Sequence, residues 1–126
     1  MPRPRHAACA RRMAALFLAA GLLAGCGRTP EPPDPVATAE EATDALAAAG
    51  EEVAQTARSA ARSAQAGQVV EAWAGFASLA EQPGLTDEQR AAAQRAVISL
   101  LPSLNRAAES GDARARALIE EHQRSK

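Results

Sequence analysis

Aromatic side chains are almost missing from this sequence. It has no tyrosine, one tryptophan and two phenylalanines in 126 residues. Alanine is abundant instead, at 34 residues, so the apolar share of 47 % overstates what the chain can bury. An alanine side chain removes little surface from water. Cysteine is scarce as well, at positions 9 and 26 only, and the histidines are His6 and His122. With so few, a disulfide framework is excluded and a zinc site, which takes about four convergent ligands, is not expected. Basic residues are few after the N-terminal segment. Arg3, Arg5, Arg11 and Arg12 precede Cys26, and the ten remaining Lys and Arg face 15 Asp and Glu, a net charge of −5. Neutralising nucleic-acid phosphates needs a basic surface, so nucleic acid is not an expected partner.

Recognisable catalytic patterns are missing too. No Gly-x-Ser-x-Gly elbow and no glycine-rich phosphate loop occurs. The pairs Glu40-Glu41, Glu51-Glu52 and Glu120-Glu121 are sequence neighbours. Neighbouring helical positions point roughly 100° apart, so these carboxylates do not converge into an acid–base pair. His122 has Glu120 and Glu121 beside it and no further ligand in view, which reads as a solvated residue near a helix end. The chain reads as non-enzymatic, without catalytic residues, metal or small-molecule cofactor.

What is present begins at the N-terminus. Residues 1–12 are basic without an acid, and residues 13–25, MAALFLAAGLLAG, carry no charge. About 13 apolar residues are too few to span a bilayer, which takes about 20. A basic segment, a short apolar run and small residues at its end mark a secretory signal over residues 1–25. Met13-Ala14-Ala15 after Arg11-Arg12 fits general secretion better than twin-arginine export.

Leu23-Ala24-Gly25-Cys26 resembles the lipobox of bacterial lipoproteins. The resemblance implies cleavage between Gly25 and Cys26, a diacylglycerol thioether on Cys26 and an N-acyl chain on the new terminus. It implies residence in the cell envelope, facing the periplasm. Gly27, rather than aspartate, follows the cysteine, which in that family favours sorting to the outer membrane. A single acyl chain binds a membrane only marginally at about 0.8 kcal/mol per methylene, whereas two or three hold it firmly.

Residues 26–37 then read as the lipidated cysteine and a linker, with four prolines in GRTPEPPDPVA. At about 3.1 Å per residue the linker reaches roughly 30 Å. Thr38 with Glu41 has the form of a capping box, and residues 38–66 read as one alanine-rich helix ending at Gly67. Its only large apolar residues are Leu46 and Val53, which leaves a stalk, an alanine-lined coiled coil or a frayed helix open. Gly50 in its middle costs about 1 kcal/mol and favours a bend or fraying there.

Of the 16 large apolar residues after Cys26, 13 lie between Val69 and Ile119. Residues 67–126 therefore read as a small antiparallel bundle of two or three helices, and the fold class as all-α. A helix over 68–82 places Val69, Val70, Trp73, Phe76 and Ala80 on one face. Thr86 and Gln89 form a second capping box for a helix that Pro102 should kink or divide. Ser110-Gly111-Asp112 turns the chain into a last helix over 113–123. Trp73 and Phe76 are core residues on this reading or, alternatively, anchors for a partner. About 55 residues make a marginal core, which favours self-association or a protein partner.

Two looser resemblances remain. Gly67, Ala72, Phe76 and Leu79-Ala80 are similar to the second helix of a tetratricopeptide repeat, which implies a degenerate helical hairpin that binds peptides. An anchor, an alanine-rich helix and a terminal Lys126 resemble the major murein lipoprotein in outline, which implies attachment to peptidoglycan. These readings define an adaptor or assembly partner on the one hand and a spacer between membrane and wall on the other.

Overall fold

Helix formation starts earlier than the capping box at Thr38 suggests. The computed structural model describes Gly27 and residues 29–126. The signal segment, the cleavage site at Gly25 and the lipid site at Cys26 lie outside the described residues. The first helix, α1, is Pro35–Leu46, so the linker ends at Asp34 and not at residue 37. Asp34 is the N-cap, and its carboxylate accepts from the Val36 N–H at 2.9 Å. Pro35 follows at the first helical position, where its fixed φ and missing N–H cost nothing. Thr38 lies inside the helix instead of capping it. Its hydroxyl donates to the Asp34 carbonyl at 2.8 Å.

The expected long helix over 38–66 is two helices. After α1 the chain turns through Ala47–Gly50 and re-enters as α2, Glu51–Gln65. Gly50 adopts φ 117° and ψ 156°, a conformation that side-chain-bearing residues avoid. Glycine disfavours a continuous helix by only about 1 kcal/mol, and tertiary packing adds to that preference for a turn. Folding back lets the alanine faces of α1 and α2 meet each other and the rest of the chain. Ala39 and Leu46 of α1 and Ala57 of α2 are fully buried. These helices are therefore neither a stalk nor frayed, and they share one core with the C-terminal half.

The remaining elements follow the sequence closely. α3 is Val69–Ala80, α4 is Asp87–Glu109 and α5 is Ala113–Arg124. The α2 C-terminus closes with the Gln68 N–H donating to Ser63 O at 2.8 Å, the six-to-one bond of a Schellman cap. The capping box at Thr86 is formed in both directions, Gln89 N–H to Thr86 Oγ1 at 3.2 Å and Thr86 N–H to Gln89 Oε1 at 3.0 Å. Asp112 caps α5 through the N–H groups of Arg114 and Ala115. Pro102 does not divide α4, which runs unbroken across it. The proline is exposed, and so is Ile98 one turn earlier, where the carbonyl deprived of its N–H partner can be hydrated.

The all-α bundle has a simple order. α1 packs on α2 and α4, and α3 packs on α2 and α4, so four antiparallel helices close a ring. α1 and α3 lie across the bundle from each other, as do α2 and α4. An open stack of hairpins leaves its first and last helices apart, so closure of α1 on α4 is bundle packing. α5 lies outside the ring, against α4 and more lightly against α3.

Alanine supplies 11 of the 19 buried hydrophobic residues, and helices lined with it can approach closely. One such close approach is between α2 and α3. A Cβ placed on Gly75 would stand 2.8 Å from the Ala60 Cβ.

Two substitutions test this architecture by chemical denaturation. Gly50→Ala is expected to destabilise the protein by about 1–3 kcal/mol, the usual cost of a strained backbone conformation. A continuous helix over 38–66 would instead gain about 1 kcal/mol from the same change. Gly75→Ala is expected to cost about 1–3 kcal/mol through overpacking. Ala60→Gly in the same chain should recover part of that loss, since it vacates the colliding methyl.

Candidate functional site

α3 carries the only two aromatic residues after Cys26. Their positions three apart put both on one face of a helix that must pack on α2 and α4. Phe76 is completely buried and Trp73 is 5 % exposed. Both therefore sit in the core, and Phe76 has no surface to offer a partner. Trp73 differs from Phe76 in two ways. Its indole Nε1 is buried and has no hydrogen-bond partner. Such a donor left unpaired costs about 1–3 kcal/mol. Its ring also meets the His122 ring edge to face, with centroids 5.4 Å apart and planes at 87°.

His122 is thus not simply solvated near a frayed end. It is half-buried, and it brings the last turn of α5 onto the ring of Trp73. T-shaped aromatic pairs contribute about 0.5–1.5 kcal/mol beyond their area. Sequence order separates the two residues by most of α3 and all of α4. The contact was invisible in the linear pattern, although the helical register of Leu118 and His122 placed both on the apolar stripe of α5.

Two clefts flank this contact. One, about 280 Å³, lies between α3 and α5 and is lined by Trp73, Ala77, Glu81, Leu118 and His122. The other, about 390 Å³, is formed by Ala80, Val97, Ile98 and Leu101 with His122 and Lys126 at its edge. Ala77, Glu81, His122 and Ser125 border both, so they are two parts of one groove along α3 and α4 under the end of α5. Ile98 is the one large hydrophobic residue standing exposed among the described residues, at 65 %. At the other end of α5 an exposed ion pair joins Arg114 to Glu71 of α3 at 2.8 Å.

The chemistry open to this groove is recognition. Its lining mixes apolar Val97, Ile98, Leu101 and Leu118 with polar Glu81, Gln94, Glu121 and Lys126. The paired acids at 40–41, 51–52 and 120–121 are all exposed. The buried Ser99 hydroxyl donates to the Ala96 carbonyl at 2.8 Å and faces no base. Among the described residues no three His, Cys, Asp or Glu side chains are grouped to hold a metal ion. No described helix is long and apolar enough to cross a membrane. Comparison of the chain with protein families, characterised proteins and solved structures gave no match.

Since Trp73 is the only tryptophan, its fluorescence reads this site directly. His122→Ala is expected to leave helix content by circular dichroism unchanged and to shift Trp73 emission to longer wavelength. An unchanged spectrum would mean that α5 does not shield the indole. Phe76→Ala is expected to destabilise the whole bundle by about 3–5 kcal/mol in the same denaturation assay.

Proposed function

We propose that this protein is a lipid-anchored, non-catalytic component of a bacterial cell envelope, an adaptor or assembly partner facing the periplasm. Leu23-Ala24-Gly25-Cys26, at the end of a short apolar run behind a basic segment, carries the reading. Cys26 would bear diacylglycerol and an N-acyl chain after cleavage at Gly25. Gly27 favours the outer membrane. The bundle then hangs from residues 27–34, whose prolines keep it off the bilayer. No other cofactor, no metal and no nucleic acid enters the proposal.

A spacer between membrane and peptidoglycan, joined through Lys126, is the alternative, and Lys126 is exposed at the end of the chain. A spacer benefits from an extended rod. Here the return at Gly50 folds residues 35–65 back on themselves, and the longest helix, α4 with 23 residues, spans only about 34 Å. That weighs toward the adaptor. A groove of mixed apolar and polar lining suits an adaptor.

Metabolic labelling with a fatty-acid probe tests the anchor. The wild-type chain is expected to be labelled and membrane-bound, and Cys26→Ser to remain uncut and unlabelled. An unlabelled wild-type protein would refute the proposal. Crosslinking in intact cells should then capture a defined partner. Material that resists boiling detergent and stays with purified peptidoglycan would instead support the spacer.

A further inference from the structure

The four-helix ring is complete without α5. Each of α1 to α4 meets two neighbours, while α5 rests on the outer face of the α3–α4 pair. Its seat is shallow. Ala115 is its only buried residue, and Leu118, Ile119 and His122 are half-buried. Clefts remain open along its α3 side, one of them beside Val70, Ala74 and Ala117. Beneath it the Trp73 Nε1 stays unpaired. α1 and α3 are equally short but bury three and five residues, so α5 is the helix with the least packing to oppose its opening.

We infer that the outer α3–α4 face is a helix-docking surface, that α5 covers it as a displaceable occupant, and that its working occupant is an amphipathic helix of a partner protein. The inference deepens the adaptor reading and rests on it for the existence of a partner. α5 itself demonstrates that the face accepts a helix. It runs antiparallel to α4, from the Arg116 bond to Ala108 O at its start to the His122 and Lys126 contacts near Val97 and Leu101 at its end. The groove continues past that end over Ile98 and Ala80. The partner helix is therefore longer than α5 by one to two turns and carries larger apolar residues along its stripe.

Charge refines its chemistry. α3 presents Glu71 and Glu81 along the seat, ten residues and about 15 Å apart. Glu71 already takes Arg114 of α5, while Glu81 makes no ion pair among the described residues. The partner helix carries basic residues that meet both.

Two measurements on the full mature chain test this. Native-state hydrogen exchange should show the Leu118 and Ile119 amides opening on the order of 100-fold faster than those of Phe76 and Ala96, with little dependence on denaturant. Exchange of α5 only through global unfolding would overturn the proposal. The second measurement uses a synthetic helical peptide as probe. It copies residues 111–126 with Ala117→Leu and is extended by one leucine-bearing turn. It should change Trp73 emission saturably at one peptide per chain, and Glu81→Lys should weaken binding about fivefold without altering helix content. No binding despite an opening α5 would overturn the docking surface. Dimers that exchange α5 between copies would overturn the partner helix in favour of a second copy of this chain. A cellular partner whose crosslinking ignores Glu81→Lys would remove this site and leave the adaptor reading intact. Peptide binding with no cellular partner would do the reverse.

Discussion

The structure depends on how closely α2 and α3 approach. At Gly75 there is no room for even a methyl group, because the Ala60 Cβ occupies the place where one would stand. Attraction between apolar atoms fades within an ångström of contact, so a core of small side chains coheres only when backbones come together. Alanine and glycine permit that approach, and the few large residues fill what remains. Phe76, Leu46, Leu79 and Leu104 are the largest side chains shielded completely. The alanine content is thus a packing solution. It lets 92 residues, from Pro35 onward, enclose a core with hardly any aromatic mass.

The same solution explains why α5 stands apart. Four helices with narrow faces close a ring whose interior has no space for a fifth. α5 must take an outer face, where Ala115 is the only one of its own residues to become buried. Trp73 belongs to that core and also meets His122 of α5, with its N–H enclosed and unpaired. The groove, the exposed Ile98 and the Trp73–His122 contact all follow from placing one wide ring and one extra helix on a bundle built for small residues.

Much of this was legible in the sequence. The all-α class, α3, the Thr86 capping box and the turn at Ser110–Asp112 are written in local chemistry, namely apolar spacing and cap residues. Other features depended on competition between local signals. Asp34-Pro35 is a strong helix start, but three further prolines beside it make the segment look like pure linker. Thr38 satisfies a capping pattern and yet lies one turn inside the helix that Asp34 begins. Pro102 signals a break, and its exposed setting removes the reason for one. Phe76 and Trp73 were identified as the significant aromatics. Which of them stays enclosed, and which touches a neighbour across 49 residues of chain, was not.

By itself the sequence determined the helical class, most helix ends and the resemblance that proposes an anchor at Cys26, since each resides in a few adjacent residues. The tertiary structure decided that residues 35–65 are a hairpin inside the bundle and that His122 lies on Trp73. It also decided that α5 is left outside. The reason is one of magnitude. A glycine in mid-helix is opposed locally by only about 1 kcal/mol. Whether the chain bends there is settled by surfaces that meet only after it has folded.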